Sequence, residues 1–224
     1  MQPWTGASQA SIAFVMSLAG SVVWCSEIRA TEGPDNSQAT KHNKIASTRE
    51  HSQFHVHMGQ KHYQSGDLEQ AIADYSSAIE LRPQEALPLY FRANTHFRMR
   101  EYEAAIRDYT LALIRNPDFT MAYANRGNAN TALGRLDAAE ADFDAALRLE
   151  PQNTYALFNR GFLFGKRRQY QKAIEDLTSL ISLEPENVRA LRLRASAFQA
   201  AGEPEKAAAD LAKAARLISP KSPR

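Results

Sequence analysis

Four prolines set a ruler along the chain: Pro83, Pro117, Pro151 and Pro185 stand 34 residues apart. A fixed period of this length marks stacked supersecondary units, because a unit so small cannot bury an apolar face without its neighbours. Placing each proline at position 32 divides residues 52–221 into units 52–85, 86–119, 120–153, 154–187 and 188–221, with Pro220 one residue late in the last. Position 20 is then always alanine: Ala71, Ala105, Ala139, Ala173 and Ala207. Position 8 is small, Gly59, Ala93, Gly127, Gly161 and Ala195, while position 24 is bulky, Tyr75, Tyr109, Phe143, Leu177 and Leu211. Small residues recurring once on each half of a unit let two antiparallel helices approach closely, and the bulky residue fills the space beside them. Gly66, Gly134 and Gly202 share position 15, where the chain turns between helices. Pro204 suits the first turn of the helix that follows, and the proline at position 32 ends that second helix.

These residues together resemble the tetratricopeptide repeat, a 34-residue helix–turn–helix unit. The resemblance spans residues 52–221 and implies an all-α, right-handed α-solenoid of about five units. Gly127, in the middle of a helical segment, reads as a packing residue whose propensity cost of about 1 kcal/mol is offset by close contact.

Arginine occupies position 7 in four units (Arg92, Arg126, Arg160, Arg194), and aspartate occupies position 23 in all five (Asp74, Asp108, Asp142, Asp176, Asp210). In a hairpin turning near position 15 these two positions lie at similar height, within a unit or between one unit and the next. The pattern predicts a structural ion-pair ladder rather than a row of ligand-binding arginines. Taken as exposed, each pair would contribute about 0–1 kcal/mol.

The resemblance further implies that positions 2, 5, 6, 9, 12 and 13 face a concave groove. They give Leu87, Tyr90, Phe91, Asn94, Phe97 and Arg98 in the second unit, and Met121, Asn125 and Asn128 in the third. The fourth contributes Tyr155, Phe158, Asn159, Phe162 and Lys166, and the fifth Arg189, Arg192, Ser196 and Gln199. Asparagine amides can both donate to and accept from a peptide backbone, and aromatic rings supply anchoring area at low entropic cost. The expected partner is a protein or extended peptide. Some family members hold a C-terminal carboxylate with a clamp of basic and asparagine side chains. Asn128, Asn159 and Arg189 match three of its places, but Ala124 and Leu193 stand where two basic groups belong.

His51, His55 and His62 project to one side of a helix and form a weak candidate for a metal site. The competing reading is that His55 and His62 pack against the second helix of a polar first unit. No cofactor is expected. No phosphate-binding loop, nucleophile elbow or His-Glu-x-x-His pair occurs, so the chain reads as a non-enzymatic scaffold or assembly adaptor.

The formal charge of +2 generates no strong field and does not favour nucleic acid. Outside the repeats, "SIAFVMSLAGSVVWC" (11–25) has the length of a signal-peptide core, and Ile28 and Ala30 suit a cleavage site before Thr31. No basic residue precedes it, which leaves open an uncleaved anchor or a different start. The expected organisation is a signal peptide over 1–30, a flexible linker over 31–51, and the array. Export to a bacterial periplasm or beyond is expected, with the cytoplasm as the alternative. After cleavage no membrane span and no cysteine would remain, since Cys25 is the single one. The Ala-rich segment 204–218 has no polar capping helix after it, so a self-associating homo-oligomer is the alternative to groove binding.

Overall fold

The computed structural model describes residues 36–218, with side chains from residue 46. The signal-like segment 1–30 lies outside the described residues. Ten helices follow one another: α1 (Asn36–Ser65), α2 (Leu68–Leu81), α3 (Ala86–Arg98), α4 (Tyr102–Arg115), α5 (Thr120–Ala132), α6 (Leu136–Leu149), α7 (Thr154–Lys166), α8 (Tyr170–Leu183), α9 (Val188–Ala200) and α10 (Pro204–Ile218). Each odd helix pairs with the even one after it, and each even helix packs on the next odd one, giving five stacked hairpins. Odd helices also touch one another along the stack, whereas among the described residues no two even helices do. Closer spacing of the odd helices bends the stack towards them, so α3, α5, α7 and α9 form its inner wall.

All five turns inside the hairpins are built alike. The position-16 amide donates to the position-11 carbonyl, six residues spanned at 2.9 Å: Asp67 to His62, Glu101 to His96, Arg135 to Asn130, Gln169 to Phe164 and Glu203 to Phe198. This cap places position 15 in the left-handed region. Gly66, Gly134 and Gly202 occupy it with φ of 93°, 73° and 81°, and Arg100 and Arg168 adopt it at 64° and 58° despite their Cβ atoms. Turn geometry is thus imposed by the hairpin even where the residue disfavours it.

The alanines at position 20 are all buried, as are the small residues at position 8. A Cβ on Gly59 would stand 2.6 Å from Tyr75, one on Gly127 2.8 Å from Phe143, and one on Gly161 2.9 Å from Leu177. Position 24 therefore lies directly over position 8 of its own hairpin. Tyr75, Tyr109, Phe143 and Leu177 are fully buried there, but Leu211, at the end of the stack, is 51% exposed.

One expectation needs correction. The sequence predicts a flexible linker over 31–51 because it has little to bury, yet α1 already begins at Asn36, so residues 36–51 are helical. No proline or glycine follows Pro34 before Gly59. A helix nucleated by packing in the first hairpin can then propagate backwards through polar residues at little cost.

Candidate functional site: the inner wall and the ladder behind it

The arginine–aspartate ladder is formed within units. Arg92 Nε and Nη2 donate to both Asp108 carboxylate oxygens at 2.7 and 2.9 Å. Arg160 makes the same fork to Asp176 at 2.8 and 2.7 Å, and Arg194 to Asp210 at 2.8 and 2.7 Å. Arg126 Nη2 reaches Asp142 at 2.6 Å, with Nε at 3.0 and 3.1 Å from its two oxygens. The remaining arginine nitrogen, Nη1, crosses to position 25 of the preceding unit: Ser76 at 2.9 Å, Thr110 at 3.0 Å, Asp144 at 2.7 Å and Thr178 at 3.0 Å. One guanidinium thus closes its own hairpin and ties it to the hairpin before.

Contrary to the expectation of surface pairs, these ion pairs are largely buried. The aspartate side chains are 5–9% accessible and the arginines 17–22%. Charge-assisted bidentate bonds at this depth fix geometry and leave a costly orphan if one partner is lost. Hydrogen bonding to Asp176 raises the Arg160 pKa further above its already high value.

The first hairpin has Met58 at position 7, and its Asp74 is taken by histidines instead. His55 and His62 bring Nδ1 to the Asp74 carboxylate at 3.3 and 2.7 Å. His51 sits apart, with its Nδ1 3.4 Å from Ser47 Oγ. The suggested histidine trio is therefore split. Among the described residues no three His, Cys, Asp or Glu side chains are grouped to hold a metal ion.

The inner wall divides into two parts of different character. On α3 and α5, Asn94 Oδ1 accepts from both Tyr109 Oη (2.6 Å) and Asn125 Nδ2 (2.9 Å), and Asn125 Nδ2 also donates to Tyr90 Oη at 3.1 Å. Tyr90 lies between Phe119 (4.7 Å), Phe91 (5.8 Å) and Tyr109 (6.0 Å), and Phe91 stacks on Tyr75 at 5.6 Å. Burial pushes the Tyr109 phenol far above its usual range. Tyr90, Phe91, Asn94 and Asn125 thus form one internal network joining the second and third hairpins. Phe97 packs on Tyr102 (5.3 Å), and Arg98 donates to the Tyr63 carbonyl at 2.6 Å. Much of this half of the wall holds the stack together.

On α7 and α9 the wall is open. Asn128, on α5, donates Nδ2 to Tyr155 Oη at 2.6 Å and Asn159 Nδ2 donates to the Tyr155 carbonyl at 2.9 Å, so both amides use their nitrogens and keep their oxygens as acceptors. Tyr155 and Phe162 are each 42% exposed. Arg189 lies over the Phe158 ring at 4.8 Å, Lys166 sits 5.7 Å from that of Phe162, and Arg192 is exposed. A cavity of about 210 Å³ opens between Tyr155, Phe158, Asn159, Leu180 and Arg189. A second, of about 360 Å³, opens between Phe162, Gly165, Lys166, Leu193, Ser196 and Ala200. Gly165 helps to open it, because a Cβ there would meet nothing within 4 Å.

Of the clamp-like positions, Asn128 and Asn159 do converge on Tyr155, but Ala124 is fully buried and Leu193 lines the second cavity. Sequence reasoning missed the crossing partners at position 25, although their polarity in four successive units (Ser76, Thr110, Asp144, Thr178) repeats with the same period. It also missed Gly165, Leu193 and Ala200 as cavity walls.

A family model described as "Tetratricopeptide repeat" matches twice, over residues 90–154 and 156–223, and another described as "TPR repeat" matches 59–99. Among solved structures, a MamA protein superposes with a TM-score of 0.69 at 22% identity, covering 78% of this chain and 99% of that one. A tetratricopeptide repeat protein from Parabacteroides merdae gives 0.66 at 25% identity, covering 82% and 74%. The first TPR of Spaghetti (RPAP3), bound to the HSP90 peptide SRMEEVD, gives 0.51 at 28% identity, covering 52% and 93%. No curated protein matches the sequence.

Proposed function

Because this chain belongs to the tetratricopeptide repeat family, whose fold generally serves as a protein- or peptide-binding scaffold, we propose that it binds an extended protein segment on the inner wall of α7 and α9. The observation that carries this reading is the pair of cavities on α7 and α9 lined by exposed Tyr155 and Phe162, with Lys166 in the wall of one and Arg189 in that of the other. Exposed aromatic rings beside concave apolar pockets are anchoring sites for large side chains, and the amide oxygens of Asn128 and Asn159 can accept from a peptide backbone. The structure of a family relative holding the peptide SRMEEVD is consistent with this use of the fold. Tyr90, Asn94 and Asn125 act here as the frame that fixes the angle between hairpins.

Selection of displayed peptides on the purified protein tests the proposal. Wild type is compared with a Tyr155→Ala/Phe162→Ala/Arg192→Ala variant whose helicity is unchanged. Enrichment of a peptide class by wild type alone supports the assignment, and equal enrichment by both refutes it. Export of the mature chain from Thr31 is part of the same proposal, and N-terminal sequencing of the native protein checks it.

A further inference from the structure

The two ends of the stack differ from its interior in a matched way. At interior junctions, position 3 of a unit is small and buried (Pro88, Ala122, Ala156, Ala190). It lies against large residues at positions 24 and 28 of the unit before: Ala122 clusters with Tyr109 and Leu113, and Ala190 with Leu177 and Ile181. At the first unit, position 3 is Phe54, 57% exposed. At the last unit, position 28 is Ala215, and Leu211 at position 24 is open. At positions 3 and 28 large and small have exchanged places, while position 24 stays large.

Polarity exchanges in step. Each interior junction joins an arginine at position 7 to a polar side chain at position 25. The first unit instead has Met58 at position 7, and the last has Ala212 at position 25. Both members of this pair are apolar at the ends, so positions 7 and 25 strand no charge when the ends meet, and the one ionic group on the junction line of α1 is Lys61 at position 10, whose long stem can carry its amine to the rim. Solitary solenoids carry polar end faces, and α1 surrounds Phe54 with exposed Gln53, His57 and Lys61. At the other end, exposed Leu211 and Ile218 present on α10 the kind of face that α8 buries under α9 through Ile174, Leu177 and Ile181.

We infer that a second copy of this chain docks its α1 on α10, so that Phe54 and Met58 of one molecule meet Leu211 and Ala215 of the next. The contact continues the junction already repeated within each chain. It is heterologous, so it propagates head to tail rather than closing as a two-fold dimer.

Sedimentation of the full chain across a wide concentration range tests this with Phe54→Glu and Leu211→Glu. Both positions are exposed, and unchanged helicity by circular dichroism confirms folding. Wild type should form species larger than a dimer, and each variant alone should associate at least about tenfold more weakly. An equimolar mixture of the two should recover association but stop at the dimer, because each partner retains one competent end. A monomeric wild type would overturn the inference. So would a Phe54→Glu variant that associates like wild type, which would mean α10 pairs with α10, or a mixture that stays monomeric. None of these results bears on peptide selection by α7 and α9, so the two proposals fail separately.

Discussion

Replacing Arg126 by leucine tests whether the ladder acts as a buried or a surface feature. The substitution removes the forked contacts to Asp142 at 2.6–3.1 Å and the crossing bond to Thr110 at 3.0 Å. Asp142, only 5% accessible, keeps a single donor, Asn130 Nδ2 at 2.9 Å. An uncompensated buried carboxylate costs about 3–5 kcal/mol. With a urea slope of about 1–3 kcal/mol/M, the unfolding midpoint should fall by roughly 1 M or more. Glu103→Gln is the internal control, since the Glu103–Arg135 pair is 3.5 Å long and more than half exposed at both members. It should change stability by less than about 1 kcal/mol. In the Arg126→Leu/Asp142→Leu double variant the stranded charge is gone, so much of the loss should return. Midpoints are read by far-ultraviolet circular dichroism, with the slope checked because repeat arrays can lose cooperativity. If Arg126→Leu costs no more than Glu103→Gln, the argument from burial is wrong.

Three further outcomes follow from the hairpins. Arg168→Gly should raise stability by up to about 1 kcal/mol, because φ of 58° strains a residue bearing Cβ, and a lowered melting temperature would contradict this. Gly127→Val should cost about 1–3 kcal/mol or more, since its Cβ would stand 2.8 Å from the buried Phe143 ring, whereas Gly165→Ala should be neutral or stabilising. Denaturant titration of both variants decides. Burial pushes the Tyr75 phenol up from 10.0 to about 12, so its contribution is complete below pH 10 and lost as pH rises from 10 towards 12. The slope is up to about 1.4 kcal/mol per pH unit, and Tyr75→Phe should flatten the decline in midpoint over that window; an unchanged decline would remove Tyr75 as its source.

The period of 34 residues was enough by itself to establish five helical hairpins, their small contact residues and the place of each turn. Those features depend on local rules: a proline stops a helix, a glycine permits a left-handed turn, and a buried alanine admits a close neighbour. Arg100 and Arg168 mark the edge of that reasoning, because nothing in their own chemistry prefers the left-handed region that the hairpin forces on them. The helix over residues 36–50 was equally illegible, since polar composition says that a segment cannot fold alone but not that a packed neighbour will nucleate it. Only the tertiary arrangement decided which inner-wall side chains are occupied and which are available. Asn94, Asn125 and Asn159 look alike in the sequence, yet the first two spend their amides on Tyr109, Tyr90 and each other. The same holds for the ladder, where equal heights for positions 7 and 23 allowed two pairings; the fold makes the one within the unit and sends the spare guanidinium nitrogen to position 25 of the unit before. Whether a polar group is free depends on what lies within 3 Å of it, and that distance is set by helices brought together from different parts of the chain.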